Sequence, residues 1–593
     1  MFVRTATRRN KDGCAVRYVQ LVHNQWDPVT KSSRMRVVHS FGREDQLDRS
    51  AVERLAGSLG RLLGQGREMA GAAPELAYAG SVAFGGTYLL DQLWQQLGIG
   101  QVMTAMLGGT RRGATTERVL FALVANRALD PSSKLAAAHW AGRKAHIDRL
   151  PATTDDACYR AMDWLHHVRD GLERRVFSQV ATALNLEVDL LFFDTTSTYF
   201  ELDEEDEPVP RDKDGSPVPA GGGTDADQAG EDGGDTGAAG GNNQKPAGFR
   251  VFGKSKDHRD DLPQIVIGMA VTRNGIPVRI WCWPGNTADS ALIRQVKHDM
   301  RDWTLAKIVW VADRGFTSTA NRRYLRRGDH HYIIGEKLRS GSAEATAALS
   351  RQGRYQEVAG NLRVKEVRIS DEERFVICHN PQAAERDAAI RARLLAQLKE
   401  MTDGTDQLTT TKRAELRGVI STKPGLNRYL RVTPGGLLRV DSRAVRAEEN
   451  LDGKYLLRAS DPKLPAADIA LGYRQLLEVE RGWRDMKQVI DLRPVYHRLE
   501  QRIRAHVILC WLALLLIRIA ETAAGTTWNK ITDQLGQLTL GTFTGPAGTY
   551  RQTSDLTPAQ RDLLARMQIP CPDKIIEATP TAPADPDQDR ASA

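Results

Sequence analysis

Two aspartates in this sequence each follow a short apolar run. Asp194 comes directly after Leu190–Phe193, and Asp313 comes soon after Ile308–Val311. Unbroken apolar runs of this length are typical of strands that are buried on both faces. Two such strands would deliver two carboxylates side by side at the rim of a sheet, which is the usual way to hold divalent metal ions. Taken alone, Asp194 is explained equally well as a residue that caps the following turn.

A third carboxylate is predicted on one face of a helix that runs from about Pro465 to Ile490. The residues that recur on that face at spacings of three and four are Tyr473, Leu476, Glu480, Trp483 and Lys487. The face is partly apolar and should pack on the sheet, so a glutamate and a lysine there are expected to pair or to function. The structural alternative is an inward salt bridge between Glu480 and Lys487, which are too far apart for an ordinary helical pair. Glu478 points to another side of the helix and is the weaker candidate.

Basic residues close to these carboxylates are candidates for contacts with phosphate groups. Lys254, Lys256 and Arg259 precede a predicted core strand, where we expect them to bind the backbone of DNA. A solvated basic turn is the alternative. Arg314 follows Asp313 directly and joins this set.

The apolar patterning predicts an α/β fold in which helices flank a mixed sheet. After the Asp194 strand come a strand at 265–271, a strand around 277–284, a helix at 289–300 and the Asp313 strand. Residues 80–186 are predicted to be mostly helical. Residues 15–41 alternate as a basic β-hairpin, and a capping box at Ser50 and Glu53 begins a helix after it.

We therefore expect six regions along the chain. They are a basic hairpin and helix module that binds DNA (1–75), a helical region (76–185), the first part of a catalytic core (186–335), an inserted subdomain (336–450), the second part of the core (451–545), and a C-terminal helix with a disordered tail (546–593). The first part of the core contains an acidic stretch, 201–248, whose Gly- and Pro-rich composition predicts a disordered loop.

Charge points to a polyanionic partner. Residues 201–248 hold 13 acidic and 3 basic residues, a net charge of −10, while the whole chain is +8. The rest of the chain therefore carries +18, which favours binding to nucleic acid. The acidic stretch either shields this basic surface or is a tolerated expansion.

Several other classes of protein are excluded. The six cysteines form no Cys-x-x-Cys pair, so neither a zinc ribbon nor a disulfide framework is indicated. The N-terminus is basic and no apolar segment follows it, so no signal peptide is expected. The apolar run 507–517 is too short to cross a bilayer and predicts a buried helix. We expect a cytoplasmic, nucleoid-associated protein that does not contact membranes.

Four stretches carry a family resemblance: FFDTTS at 192–197, PGNTADS at 284–290, VADRGF at 311–316 and YRQLLEVERGWRDMK at 473–487. They resemble the DDE transposases of bacterial insertion sequences, and more narrowly the group with a Tyr-x2-Arg-x3-Glu-x6-Lys signature. The resemblance implies a ribonuclease H-like fold with a β-rich insertion between the second aspartate and the glutamate. It implies that Asp194, Asp313 and Glu480 are the catalytic and metal-binding residues. Asn286 and Asp289 match a further element, and we expect them to cap a helix or support the site rather than bind metal.

The same resemblance implies the remaining roles. Tyr473 and Lys487 fill the Tyr and Lys positions as DNA contacts, and Lys487 would lie on a phosphate beside the scissile bond. Leu476 departs from the signature at the Arg position, so Arg474 or Arg484 would supply that contact. Two Mg²⁺ ions, with Mn²⁺ as a substitute, would support attack by water and then strand transfer by the freed 3′-OH. The partners would be double-stranded DNA, as terminal inverted repeats and as target, bound by a homodimer on paired ends. A non-catalytic DNA-binding relative and a metal-dependent nuclease are the alternatives.

Overall fold

The chain divides into two compact units. The structure is a computed structural model that describes residues 2–9, 15–27, 32–44, 76–186, 188–212, 216–218, 248–301, 303, 308–339, 341–370, 374–545 and 548–580. One unit takes in Met1–Gly80, Thr542–Arg551 and Glu577–Ala593, and the other takes in Ser81–Gly541 and Gln552–Ile576. The three candidate carboxylates all belong to the second unit.

The N-terminal strands form an antiparallel sheet. Phe2–Arg9 (β1), Ala15–Asp27 (β2) and Ser32–Arg43 (β3) pair in the order β1-β2-β3. The hairpin predicted at 15–41 corresponds to β2 and β3, and β1 adds a third strand against β2. The helix predicted to begin at Ser50 lies outside the described residues.

Helices fill the region that precedes Asp194, as predicted. The strand Ala77–Ala83 (β4) is followed by Gly85–Gln96 (α1), Ile99–Met106 (α2), Arg111–Leu129 (α3), Lys134–Arg143 (α4) and Asp155–Ala183 (α5). Thr110, Ser133 and Thr154 begin α3, α4 and α5, and each side chain accepts a hydrogen bond from a backbone amide of the first turn. These caps explain why the helices begin where they do.

The strands around the two aspartates form a mixed sheet. They are Leu190–Tyr199 (β5), Gln264–Thr272 (β6), Pro277–Pro284 (β7), Val309–Ala312 (β8) and His331–Glu336 (β9). Along the chain, the helix Asp289–Asp299 (α6) precedes β8 and the helix Thr319–Leu325 (α7) follows it. The order in the sheet is β7-β6-β5-β8-β9. The first three strands are antiparallel, while β8 runs parallel to β5 and β9 runs parallel to β8. The prediction of a mixed sheet flanked by helices is therefore confirmed.

The insertion adds strands to the same sheet. Its elements are Ala343–Ser350 (α8), Gln356–Ala359 (β10), Leu362–Arg368 (β11), Arg374–His379 (β12), Pro381–Thr402 (α9), Thr410–Ser421 (α10), Pro424–Asn427 (α11), Leu430–Val432 (β13), Leu438–Val440 (β14) and Ser442–Glu449 (α12), followed by Lys454–Ala459 (β15). β15 lies between β12 and β9 and pairs with both, so β10, β11 and β12 extend the sheet beyond β9. Three strands of the predicted subdomain at 336–450 therefore belong to the core sheet, while β13 and β14 pair with each other in a separate two-stranded sheet. The helical part has a small apolar core around Leu398, Ile420 and Leu426, and α8 packs on the added strands in a second one that includes Ala345 and Phe375.

The C-terminal third returns to helices. It contains Ala466–Arg474 (α13), Leu477–Gln488 (α14), Glu500–Ala524 (α15), Trp528–Leu535 (α16), Thr539–Gly545 (β16), Gly548–Thr553 (β17), Pro558–Arg566 (α17) and Ile575–Pro580 (β18). The strands β18, β17, β16 and β4 form a four-stranded sheet in that order. By length and composition α15 is apolar enough to cross a membrane, but 83% of its most apolar window is buried inside the molecule. It packs against α3, α5 and β7 as a core helix.

The acidic stretch is ordered at its start. Asp206 accepts two hydrogen bonds of 2.5 and 2.9 Å from the guanidinium of Arg250, and Arg211 pairs with Glu500 at 3.0 Å. The expectation that all of 201–248 is disordered is therefore wrong for residues 201–212. Composition did not reveal these pairs because Arg250, the partner of Asp206, and Glu500, the partner of Arg211, are brought to the acidic stretch by tertiary structure. Residues 219–247 lie outside the described residues.

Candidate active site

Asp194 and Asp313 occupy equivalent positions on neighbouring parallel strands. The last residues that β5 and β8 align are Phe193 and Ala312, so the next residue on each chain segment is one of the two aspartates. Neighbouring strands lie about 4.8 Å apart, and aligned residues of a parallel pair point to the same face. The end of β8 therefore brings the two carboxylates together.

Asp194 does not end its strand, which corrects the sequence-based expectation. β5 continues to Tyr199 because β6 goes on pairing with it after β8 has stopped. The residues after Asp194 read as a polar turn, yet Thr195, Ser197 and Thr198 are all buried. Asp194 is therefore held inside a strand and does not cap a turn, so its position is fixed by backbone pairing.

A cavity of about 330 Å³ is lined by all three candidate carboxylates, Asp194, Asp313 and Glu480. Glu480 lies on α14 and is exposed. Glu478 is absent from this lining: it lies against Gly275 in the turn between β6 and β7. The geometry thus favours Glu480 over Glu478 as the third carboxylate.

The helix predicted over 465–490 is divided into α13 and α14. At the division, the backbone amides of Gln475 and Leu476 bond to carbonyls three residues earlier, which tightens the chain as in a 3₁₀ turn. The expectation of one continuous helical face is therefore wrong. Tyr473 on α13 and Glu480 on α14 nevertheless line the same cavity. Leu476, at the Arg position of the signature, is buried between them.

The Tyr473 hydroxyl is directed at Asp313. It donates a hydrogen bond of 3.3 Å to Oδ1, and its ring stacks on the ring of Tyr455 with the centroids 6.0 Å apart. Burial and the Asp313 carboxylate raise the pKa of Tyr473 above its usual value, so the phenol stays a neutral donor. Tyr473 therefore supports the carboxylate of Asp313.

Asp194 has both negatively and positively charged groups close to it. Burial raises its pKa to about 6, with Asp313 and Asp289 adding to the rise, while Lys256 and the backbone amide of Thr195 oppose it. Carboxylates that repel each other in a partly buried position are stabilised by a cation.

The donors in this cavity fit a divalent metal ion at the two strands. Asp194 and Asp313 offer oxygen ligands of the kind that Mg²⁺ prefers. A cationic group already lies beside one of them, because the ammonium of Lys256 is 4.0 Å from Oδ1 of Asp194. Within the described ranges, no three His, Cys, Asp or Glu side chains come close enough together to hold one ion. Glu480 thus lines the cavity without completing a three-carboxylate site.

Lys487 forms a salt bridge inside the protein. Its ammonium lies 2.9 Å from Oδ1 of Asp257, and Arg493 holds the other oxygen of that carboxylate at 2.5 Å. Only 15% of the Lys487 side chain is exposed, and it does not line the cavity. The sequence could not show this pairing because Asp257 is more than two hundred residues away in the chain.

The other predicted DNA contacts are more accessible. Arg314, Arg484 and Lys254 are exposed, and Arg314 adjoins Asp313. Arg259 pairs with Asp261 at 2.9 Å, close to Lys254 in the same loop. None of these four basic residues lines the cavity.

Sequence reasoning missed the contribution of the insertion to this cavity. Asn361 from the β10–β11 turn, Asn380 at the end of β12 and Tyr455 of β15 all belong to its lining. Their sequence context gave no signal, because a separate subdomain was expected there. Trp310 and Trp483 are both buried in the core.

Two protein-family models match the chain. Residues 242–516 match the transposase DDE domain, and residues 3–72 match the N-terminal domain of IS1634 family transposases. Together they cover more than half of the chain, and Asp313 and Glu480 lie inside the first range while Asp194 precedes it. A search of curated proteins gave no match.

Among solved structures, the chain matches the piggyBac transposase in a synaptic complex with hairpin DNA. The identity is 10%, the match covers 76% of this chain and 78% of that chain, and the TM-score is 0.32. Similarity at this TM-score is too low to support an argument about structure. The family assignment therefore rests on the two sequence models.

Proposed function

Because the chain belongs to the DDE transposases of insertion sequences, we propose that it cleaves DNA at the ends of its element and joins them to target DNA. We propose Asp194, Asp313 and Glu480 as its catalytic residues. The observation that carries this assignment is the single cavity that all three carboxylates line. They come from three separate elements, so their convergence is a property of the fold and not of the sequence spacing.

Transposases with a DDE domain use divalent metal ions, and we propose Mg²⁺, with two ions in the working site and Mn²⁺ as a substitute. Asp194 and Asp313 would hold metal from the sheet, and Glu480 would approach from α14. Metal bound there would activate the attacking oxygen and stabilise the leaving one. No covalent link between protein and DNA is needed, and no Ser or Tyr nucleophile is proposed.

The other residues of the cavity position these carboxylates. Tyr473 donates its hydroxyl hydrogen to Asp313 and so limits the rotation of that carboxylate. Because a carboxylate held in one orientation is better placed to bind metal than a mobile one, we propose that this hydrogen bond supports catalysis without proton transfer.

DNA contacts are proposed for four basic residues, of which three are exposed and Arg259 is half-buried. Arg314 and Arg484 are available to phosphate groups, with Lys254 and Arg259 on the loop before β6. Lys487 is bound to Asp257 in the absence of DNA, so a phosphate contact by Lys487 requires DNA to replace that carboxylate. We further propose a homodimer on paired terminal repeats and a location at the nucleoid.

A strand-transfer assay tests the proposal. The full-length protein is incubated with Mg²⁺, DNA that carries the ends of its own element, and a target plasmid. The proposal predicts cleavage followed by joining, and loss of both in Asp313→Asn with binding to the ends retained. Cutting without joining would identify a nuclease. Binding without cutting in the wild type would identify a non-catalytic relative.

A further inference from the structure

Lys256 covers the edge of β5 that β8 leaves open. β8 ends at Ala312, beside Phe193, so the following residues of β5 have β6 on one side only. The loop of Lys256 occupies the other side, where its backbone amide donates to the Ser197 hydroxyl at 2.9 Å. The side chain then reaches back along β5 towards the active site.

The ammonium of Lys256 lies among four oxygen atoms. It donates to the carbonyl oxygen of Thr195 at 2.6 Å and to the hydroxyl of Thr195 at 2.5 Å. It lies 3.3 Å from Oδ2 of Asp289 and 4.0 Å from Oδ1 of Asp194. The Thr195 hydroxyl donates in turn to Asp289 at 2.9 Å, which fixes that carboxylate. A carbonyl, a hydroxyl and two carboxylates are donors that a hard cation prefers.

The sequence predicted that Lys256 binds the backbone of DNA, and that contact stays a prediction; the structure adds contacts of Lys256 inside the protein. The ammonium of Lys256 contacts Thr195 and lies beside the two carboxylates, while 38% of the side chain stays exposed. Lys254 lies two residues earlier in the same loop, and both lysines are exposed, but among the ion pairs of the described residues only Lys256 is placed beside Asp194 and Asp289. The two lysines therefore have different electrostatic surroundings although the sequence presents them alike.

We propose that Lys256 is the resident cation of the active site, which neutralises Asp194 and Asp289 and weakens the binding of divalent metal ions while DNA is absent. The inference rests on the proposed function, because it takes Asp194 as a metal-binding residue. A positive charge about 4 Å from a ligand oxygen opposes the entry of a second cation. DNA phosphates bring negative charge to the site and offset that opposition, so metal binding and DNA binding strengthen each other.

Isothermal titration of Mn²⁺ into the full-length protein without DNA tests this assignment. Lys256→Gln should bind Mn²⁺ more tightly than the wild type, by roughly tenfold for a unit charge removed at this distance. Lys254→Gln is the matched control, since it removes the same charge from the same loop without touching a carboxylate, and its affinity should stay within about twofold of the wild type on the same electrostatic grounds. An unchanged or weaker affinity in Lys256→Gln overturns the proposal.

Asp289→Asn gives an independent reading should Lys256→Gln fail to fold. The charge of Lys256 is then less neutralised, so Mn²⁺ should bind several-fold more weakly than in the wild type; equal or tighter binding contradicts the proposal. Asp313→Asn separates this inference from the proposed function. If the wild type binds Mn²⁺ and Asp313→Asn binds it equally well, the metal site lies elsewhere and the proposed function fails. If Asp313→Asn loses binding but Lys256→Gln behaves as Lys254→Gln does, only the role of Lys256 is wrong.

Discussion

Gly335 of β9 is placed so that a single methyl group would disturb the active site. A Cβ at this position would meet the hydroxyl oxygen of Tyr473 at well under 3.0 Å and Cζ of that ring at 3.1 Å. Ordinary contacts between such atoms begin at about 3.5 Å, so the ring would have to retreat by roughly 1 Å. The hydrogen bond of 3.3 Å from Tyr473 to Asp313 would then break.

We expect Gly335→Ala to lower stability and activity together. Overpacking of a filled site costs about 1–3 kcal/mol of unfolding free energy, and a displacement of about 1 Å near the reacting groups costs up to about a hundredfold in rate. Thermal unfolding and DNA cleavage measured on the same preparation give the two quantities.

The double variant Gly335→Ala with Tyr473→Phe makes this prediction refutable. Removing the hydroxyl deletes the atom that clashes, so the double variant should be more stable than Gly335→Ala alone, by about 1 kcal/mol or more from the overpacking cost that it relieves. Tyr473→Phe on its own should be less active than the wild type, because Asp313 loses its donor. Additive losses of stability in the double variant would refute the reasoning, since they would mean that the methyl group and the hydroxyl do not meet.

Three further predictions test the surroundings of the site. His497 and His506 are buried, and burial lowers the pKa of His497 to about 3 and that of His506 well below its usual value. The unfolded chain therefore binds protons below about pH 6.5 that the folded chain does not, so stability falls as the pH falls, by about 3 kcal/mol between pH 7.5 and 5.5 for the two groups. The free energy of unfolding is measured at both pH values for the wild type and for the double variant His497→Gln, His506→Gln. The variant should lose about 3 kcal/mol less than the wild type between pH 7.5 and 5.5. An equal loss in both proteins would contradict the prediction. Arg458 is fully buried and its guanidinium lies 2.6 Å from the carboxylate of Glu336. Arg458→Met should therefore lower the free energy of unfolding by about 3–5 kcal/mol, because it leaves a buried charge without its partner. Adding Glu336→Gln should recover most of this loss, which thermal unfolding measures. Asp257→Asn should release Lys487 and Arg493, so the affinity for non-specific DNA should rise. The slope of the logarithm of the binding constant against the logarithm of salt concentration should become steeper by up to about 2. An unchanged slope would show that neither cation reaches phosphate.

The sequence predicted the core of the site because buried strands have a strong local signal. The runs before Asp194 and Asp313 are apolar without interruption, and they form the central parallel pair of the sheet. The end of β5 was predicted wrongly. The residues from Thr195 to Thr198 carry hydroxyl groups, which are typical of a turn, and nothing in the local sequence indicates that they pair with β6 and are buried.

Features that depend on distant partners were not predictable. The division between α13 and α14 lies at Gln475 and Leu476, neither of which breaks helices by itself. The contacts of Lys256 inside the protein depend on where β8 stops, and the engagement of Lys487 depends on Asp257. In each case a tertiary contact decides the outcome, and one sequence does not display tertiary contacts.

The insertion illustrates the same limit at the level of domains. Its short strands were recognised, but their pairing with β15 was not, so its share of the cavity was missed. Asn361 and Asn380 reach the cavity only because β10, β11 and β12 extend the catalytic sheet. Register between distant strands is set by the fold and is weakly encoded in any one strand.

Comparison of Glu480→Gln with Glu478→Gln tests the central claim most directly. Both changes remove one carboxylate from α14 and keep the shape of the side chain, but only Glu480 lines the cavity. Cleavage of DNA that carries the element's ends is measured with Mg²⁺, together with binding to those ends. The account predicts that Glu480→Gln binds and does not cleave, while Glu478→Gln cleaves as the wild type does. Cleavage by Glu480→Gln, or its loss in Glu478→Gln alone, would contradict the assignment of the third carboxylate.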